Sequence, residues 1–284
     1  MAKKDKGGAV KGLISLAALM TGSVSGLIFF FLFYFSLPII GSGLIGEFLT
    51  GTWDPDNQAL GIFPMILGTV FISGLAVLLA TPIGFGLAAF IQLFAPRSLA
   101  GFLRGTVEFM TGIPTVVYGF AALFLLVPAV RNLFSYGTGR SILTASLVLA
   151  LLVLPTITLI AHDRMAGVPS RHILAAWSLG ASRVEAFLYV ILPGAWRGLV
   201  SAVVLGTGRA IGDTLIALML AGNAVALPGS LLDSARTLTS HIALVTAADY
   251  ESMSFKAIFV CGLLLFLFAA WNILFLRFIE RLKQ

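Results

Sequence analysis

Long stretches without a charged residue set the hydrophobic pattern of this chain. No charged residue occurs from Gly12 to Gly46 or from Ala257 to Leu276. About 20 consecutive apolar residues let a helix cross a bilayer, so these stretches predict membrane-spanning helices. A basic start followed by an apolar run is also typical of a secretory signal, but the first run is too long for one. The pattern predicts six spans, at residues 12–46, 63–94, 107–130, 142–161, 199–222 and 257–276.

The composition supports a membrane protein. Of the 284 residues, 59% are apolar and only 11% are charged. A soluble domain has about 45–50% apolar and about 25% charged residues. A chain this apolar cannot cover itself with polar surface in water, so we expect an all-α integral membrane protein that contacts lipid. The net charge of +6 is explained by basic cytoplasmic loops, and we expect no nucleic acid partner.

The distribution of lysine and arginine predicts the orientation. If the N-terminus is cytoplasmic, the outward loops hold few basic residues, namely Arg131, Arg140, Arg236 and Lys256. Because cytoplasmic loops collect Lys and Arg, we expect both termini inside. The predicted order is a basic tail (1–11), the first helix (12–46), an extracytoplasmic loop (47–62), a five-helix core (63–276) with a cytoplasmic loop at 162–198, and a cytoplasmic tail (277–284).

Few residues suggest enzyme or metal chemistry. Cys261 is the only cysteine, which excludes a disulfide within the chain. The sequence shows no metal-site spacing and no nucleophile–base arrangement, and we expect His162, His172 and His241 in solvated loops. The sequence has no G-x-x-x-x-G-K-[ST] motif, so we expect no ATP hydrolysis by a P-loop and no cofactor on this chain.

Two opposite charges interrupt the predicted fifth span. Arg209 is expected roughly 15 Å into that helix, and a charged residue at such a depth costs about 2.5–3.5 kcal/mol. Asp213 follows four residues later, so both side chains share one helix face and can meet. The pair either holds helices together or borders a substrate pathway. We favour the pathway, with Thr214 beside it, because ionisable groups inside membranes usually line polar cavities.

A proline interrupts the predicted third span. Pro114 removes a backbone donor and is expected to break the helix near Gly112. Such breaks are tolerated within a membrane where they are buried in protein or line a cavity. Glu108 precedes this break, either as a second carboxylate of the pathway or as a residue at the membrane edge that faces water.

The cytoplasmic loop at 162–198 contains a spaced motif. It reads Leu174-Ala175-Ala176-Trp177-Ser178-Leu179-Gly180, then nine residues, then Val190-Ile191-Leu192-Pro193. Ala175 to Ala181 predicts a short helix, Gly180 permits a turn, and Pro193 is expected to end whatever precedes the fifth span. A short helix across the cytoplasmic face is an element that a soluble partner can bind.

This segment resembles the loop of ABC importer permeases usually written E-A-A-three-G-nine-I-x-L-P. Ala175, Ala176, Gly180, Leu192 and Pro193 match it. Leu174 replaces the usual glutamate, so docking to an ATPase is expected to depend on shape and apolar packing. The stretches from Glu108 to Gly119 and from Gly206 to Thr214 are similar to motifs of the phosphate-importer permease pair. They are nearest to its C-type subunit, where G-R-A-x-G-E-T has a glutamate in place of Asp213.

The resemblance implies a type I (MetI-like) permease fold in the bacterial inner membrane. It also implies a second homologous permease and an extracytoplasmic phosphate-binding protein. The resemblance further implies an ATPase dimer that binds ATP and Mg²⁺ and couples to this chain through Ala175, Ala176, Gly180, Ala181 and Pro193. Two alternatives stay open from the residues themselves. One is a permease for another oxyanion, such as molybdate, tungstate or phosphonate. The other is an ion-coupled secondary transporter with an arginine and an aspartate at midplane.

Overall fold

The computed structural model describes residues 5–41, 43, 45–57, 59–134, 136–246 and 252–281, and it is mostly helical. Its helices are α1 (Asp5–Gly41), α2 (Ile45–Thr50), α3 (Phe63–Ala89), α4 (Arg97–Gly112), α5 (Thr115–Phe134), α6 (Ile142–Ala166), α7 (Ser170–Ser178), α8 (Arg183–Ala186), α9 (Leu192–Gly212), α10 (Leu215–Leu220), α11 (Leu238–Val245) and α12 (Met253–Arg281). A short antiparallel hairpin joins β1 (Trp53–Asp54) to β2 (Ala59–Leu60). The outer parts of the predicted tails, at 1–4 and 282–284, lie outside the described residues.

The structure has six helices long and apolar enough to cross a membrane among its described residues, as the sequence predicts. They are Val10–Gly41, Phe63–Phe94, Thr115–Phe134, Ile142–Ala166, Arg183–Gly212 and Met253–Ile279. The first helix ends at Gly41, earlier than the predicted residue 46, and α2 begins soon after it.

The centre of the molecule is formed by α3, α6 and α9. Ile157 of α6 is fully buried there. A Cβ atom added at Gly84 of α3 would lie 3.0 Å from its side chain, and one added at Gly206 of α9 would lie 2.7 Å from it. These glycines therefore let three helix backbones approach closely around one isoleucine.

The first and last long helices pack against each other. Phe259 of α12 stacks on Phe35 of α1 with ring centroids 4.9 Å apart, and Phe266 contacts Phe29 at 5.5 Å. Most of α1 is otherwise exposed on this chain. Its apolar surface is therefore available to lipid or to another membrane subunit.

Two predicted spans have different bounds in the structure. The predicted span 107–130 is two helices, because α4 ends at Gly112 and α5 begins at Thr115, after the expected break at Pro114. The predicted span 199–222 begins and ends earlier, since α9 ends at Gly212. Arg209 therefore lies in the last turn of α9 instead of near its middle.

The side of the molecule that holds α2, the hairpin and α11 corrects one expectation. His241 was expected in a solvated loop, yet it lies in α11 and is fully buried. Its ring packs edge-on against Trp53 of β1, with centroids 4.3 Å apart. Of the other two histidines, His172 is exposed on α7, and His162 lies within α6 instead of in a loop.

Pro193 does not end a preceding element, contrary to the sequence-based expectation. Residues 183–212 form one continuous helical segment that passes through a π-helical turn at Phe187–Ile191. Pro193 lies in the first turn of α9, and the wider π turn precedes it. A proline near the start of an α-helix is tolerated because its missing N–H would have no intrahelical acceptor there.

Candidate functional site

Arg209 is held at the end of α9 by a neutral partner. Its Nη1 donates a hydrogen bond to Thr156 Oγ1 of α6 over 2.8 Å. Both residues are half-buried. A hydroxyl can orient the guanidinium but cannot neutralise it, so the positive charge stays available to another group.

Asp213 lies where α9 stops, and its side chain explains why the helix ends. Its Oδ1 accepts a hydrogen bond from the backbone N–H of Ile216, 2.8 Å away at the start of α10. Its backbone carbonyl accepts from Thr239 Oγ1 of α11 at 3.1 Å. Short polar side chains that bond nearby backbone groups compete with helix continuation. The aspartate therefore fixes a helix break next to the arginine.

The direct contact between Arg209 and Asp213 that the four-residue spacing allows is not formed. Among the described residues, the ion pairs within 4 Å do not include these two side chains. Four-residue spacing brings side chains together only while the helix continues, and the backbone turns away at Asp213. The two charges still lie within electrostatic range of each other. Among the described residues, Oδ2 of Asp213 has no hydrogen-bond partner.

The other two predicted pathway residues are placed differently. Glu108 lies on α4 and accepts a 2.8 Å hydrogen bond from Arg104 Nε, with both side chains about half exposed. It is therefore paired on its own helix and not with Arg209. Thr214 is half-buried in the break itself, where its backbone carbonyl accepts from Leu218 at 2.9 Å.

The helix α9 has one packed face and one open face around this site. Gly206 packs on α6, whereas Cβ atoms added at Gly208 or Gly212 would meet no atom within 4 Å. Gly112, at the end of α4, is open in the same way. Two helix breaks and Arg209 thus lie beside surface that the described part of this chain leaves uncovered.

Tyr118 connects the two breaks. It lies on α5, and its hydroxyl donates to the carbonyl of Met110, on α4, over 3.0 Å. This hydroxyl is also within electrostatic range of Arg209. The stretches around Pro114 and Asp213 therefore belong to one polar region, as expected if both border a cavity.

The loop at 162–198, which contains the spaced motif, has a defined structure. The helix α7 ends in a Schellman motif, in which Gly180 N–H donates to Trp177 over 2.9 Å and Ala181 N–H donates to Ala176 over 3.0 Å. Gly180 has φ +89, a conformation that favours glycine. The glycine of the spaced motif is thus required by backbone geometry.

A capping box starts the next helical segment. Ser182 accepts a hydrogen bond from the Glu185 backbone N–H, and the Glu185 carboxylate accepts from the Ser182 N–H over 2.7 Å. Arg183 then donates to the carbonyl of Leu93 at the end of the second span, over 3.3 Å. The loop is therefore tied directly to a membrane helix.

Sequence reasoning missed several residues of this region. Thr156 and Thr239 reach the site from other helices, and no local pattern marks them. The Ser182–Glu185 capping box could be predicted from the sequence, because S-x-x-E before an apolar run is typical of the start of a helix. Contacts of these threonines with Arg209 and Asp213 depend on how α6, α9 and α11 pack together. Residue spacing within one helix does not predict that packing.

Comparison with known proteins shows to which class of membrane protein this chain belongs. The fold is that of ABC importer permeases. The inward-facing MetNI methionine ABC transporter matches with a TM-score of 0.60 at 16% identity, over 77% of this chain and 95% of that one. A bacterial ABC transporter involved in the import of the acidic polysaccharide alginate also gives 0.60 at 16%, over 97% and 100%. The chain belongs to the family of binding-protein-dependent transport system inner membrane components, whose model matches residues 80–282.

Relatives of known sequence support this membership. A probable ABC transporter permease of Bacillus subtilis, YqgH, is 38% identical over 84% of this chain and 78% of its own length. A phosphate transport system permease protein, PstC, of Haemophilus influenzae is 33% identical over 84% of this chain and 82% of its own. Another PstC, of Mesorhizobium japonicum, is 32% identical over 78% and 73%. The family membership excludes the alternative of an ion-coupled secondary transporter.

Proposed function

We propose that this chain is a permease subunit of an ATP-driven importer for inorganic phosphate. The proposal depends on the surroundings of Arg209. Its guanidinium is oriented by a hydroxyl and has no contacting carboxylate among the described residues, and it lies beside an open helix face. A planar guanidinium suits the oxygens of an oxyanion. Relatives named as phosphate transport system permeases support phosphate as that oxyanion.

Asp213 would provide selectivity for phosphate over sulfate. Phosphate at neutral pH retains at least one O–H, and Oδ2 of Asp213 is placed to accept a hydrogen bond from it. Sulfate has no proton to donate, so it would meet only repulsion from the carboxylate. Sites built to bond a substrate O–H can reject analogues without it by about 10⁴-fold or more.

The rest of the importer would be supplied by partners. A second, homologous permease would cover the open face of α9 and complete the pathway. An ATPase dimer would bind the exposed apolar surface of the loop at 162–198, where Leu174 is 55%, Trp177 45% and Leu179 90% exposed. An extracytoplasmic phosphate-binding protein would dock on the side of α2 and α11, with both termini in the cytoplasm.

The test is relative uptake of phosphate and sulfate by vesicles containing the whole importer. Asp213→Asn should lower phosphate uptake and narrow the difference from sulfate. Asparagine can still accept the Ile216 N–H, so the variant removes charge without removing the hydrogen bond that fixes the break. Glu108→Gln is the matched control, since that carboxylate is paired with Arg104, and it should leave the ratio unchanged. An unchanged ratio in Asp213→Asn would refute the role of this carboxylate.

A further inference from the structure

The hydroxyl of Thr156 is used differently from that of its neighbour on α6. Thr158 donates its hydroxyl to the carbonyl of Leu154, one turn back in the same helix, over 2.8 Å. A threonine inside a helix commonly bonds the carbonyl four residues earlier in this way. Thr156 Oγ1 instead accepts a hydrogen bond from Arg209 Nη1 of α9. The hydroxyl of Thr156 therefore binds a group of another helix.

The packing of α6 on α9 determines where this hydroxyl lies. Ile157, the next residue of α6, is fully buried, and a Cβ atom added at Gly206 of α9 would lie 2.7 Å from its side chain. Gly206 precedes Arg209 by nearly one helical turn, so the two backbones approach closely beside the arginine. Because the side chain of threonine is short and stiff, this approach fixes the position of the Thr156 hydroxyl.

Asp213 is held by other parts of the fold. Its Oδ1 accepts a hydrogen bond from the N–H of Ile216 in α10, and its backbone carbonyl accepts from Thr239 of α11. The guanidinium is thus held by α6, whereas the carboxylate is held by α10 and α11. The two charges lie within electrostatic range, yet they form no ion pair among the described residues. Contacts to different helices therefore keep them apart.

The alternative arrangement of Arg209 is a direct pair with Asp213. A carboxylate attracts a guanidinium more strongly than a hydroxyl does, because it is charged and can accept two parallel hydrogen bonds. Oδ2 of Asp213 has no other partner in the described part of the chain. A closed pair would occupy the donors that suit an oxyanion and would cancel the charge that attracts it. Arg209 thus needs a competing acceptor if it is to stay open to an anion.

We propose that Thr156 is a positioning residue of the substrate pathway, which holds Arg209 away from Asp213 so that an oxyanion can enter between the two charges. The identity of the anion rests on the proposed function, whereas the separation of the charges does not depend on which anion is carried. Without the hydroxyl of Thr156, the guanidinium turns to the carboxylate and closes the entry. This role differs from a contribution to packing, because its loss has an effect only while Asp213 is charged.

The experiment compares Thr156→Val with Thr156→Ser and Thr158→Val in the complete, reconstituted importer. Valine keeps the branched shape of threonine without the hydroxyl, whereas serine keeps the hydroxyl. Thr158→Val is the matched control, because it removes a neighbouring hydroxyl that bonds its own helix. One readout is the rate at which phenylglyoxal labels Arg209, followed by mass spectrometry of the peptide that contains it. The other is the maximal uptake of radiolabelled inorganic phosphate.

Thr156→Val should slow the labelling of Arg209 and lower phosphate uptake, each by about tenfold, because the carboxylate now occupies the guanidinium. Adding Asp213→Asn should restore the labelling rate, since asparagine carries no charge. A defect of packing would instead be the same with either residue at position 213. Thr156→Ser and Thr158→Val should match the wild type in both readouts.

Several results would overturn the proposal. One is unchanged or faster labelling of Arg209 in Thr156→Val, and another is slow labelling that Asp213→Asn does not restore. Absence of labelling in the wild type would do the same, because the guanidinium would then not be open. Normal phosphate uptake by a Thr156→Val importer with slow labelling would also refute it. The proposed function would fail separately, if Arg209→Gln left phosphate uptake unchanged, and the labelling rates do not depend on that result.

Discussion

The buried histidine of α11 makes the stability of this protein depend on pH. His241 is fully buried, and neither ring nitrogen has a hydrogen-bond partner among the described residues. Burial, and to a smaller extent the positive charge of Arg236, lowers the pKa of His241 from 6.5 to about 4. The folded protein therefore favours the neutral ring, whereas the unfolded chain takes up a proton as the pH falls below about 6.5.

The direction and size of the change in stability with pH follow from the difference between the folded and unfolded pKa of His241. A pKa lowered in the folded state contributes stability above the unfolded pKa, and this stability is lost as the pH falls from about 6.5 towards about 4. At about pH 5 the loss is roughly 2 kcal/mol, and it approaches about 3.4 kcal/mol at lower pH. His241→Phe keeps a ring against Trp53 and removes both nitrogens, so it should remove this part of the pH dependence.

The measurement is the free energy of unfolding in mixed micelles at about pH 7.5 and about pH 5. Other groups titrate in both proteins, so the quantity of interest is the difference between wild type and His241→Phe in their loss of stability. His172→Gln, which alters an exposed histidine on α7, controls for removing a histidine in general. Equal losses in wild type and His241→Phe would show that the buried ring is not kept neutral by folding.

Two further predictions concern glycines. Gly206→Ala should destabilise the folded protein by about 1–3 kcal/mol, because the new Cβ would lie 2.7 Å from Ile157. Gly208→Ala adds a Cβ in open space and should stabilise the folded protein by up to about 1 kcal/mol. Thermal unfolding in detergent compares the two variants. Gly180→Val places a β-branched residue at φ +89 and should disrupt the end of α7, so ATPase activity of the reconstituted importer should no longer be coupled to uptake. Normal coupling in Gly180→Val would contradict its assigned role.

The sequence predicts the helices well because apolar length is a local property. Six spans were expected and six apolar helices are present among the described residues. Pro114 also predicts a helix break, since its missing N–H acts on its own helix. The break at Asp213 was missed, because an aspartate ends a helix only when its side chain finds a backbone donor such as Ile216, and composition does not show this.

The surroundings of charged and polar residues were harder to predict. His241 lies in a short segment of mixed polarity that resembles a loop, yet Thr237 and Ser240 form a capping box that starts α11. Its burial results from packing against Trp53, far away in the sequence. The spacing allowed Arg209 to meet Asp213, but Arg209 contacts Thr156 of a neighbouring helix, which spacing within one helix does not predict.

This exchange of partners supports the proposed pathway over a structural ion pair as the interpretation of the intramembrane charges. A structural ion pair that holds helices together requires the two side chains to touch, and within this chain Arg209 and Asp213 do not form an ion pair. Among the residues that the structure describes, the arginine thus has a hydroxyl that orients it and no contacting counter-charge. Burying it against lipid would cost about 2.5–3.5 kcal/mol or more. The open face of α9 is therefore better explained if it meets water, an anion and a second permease than if it meets hydrocarbon.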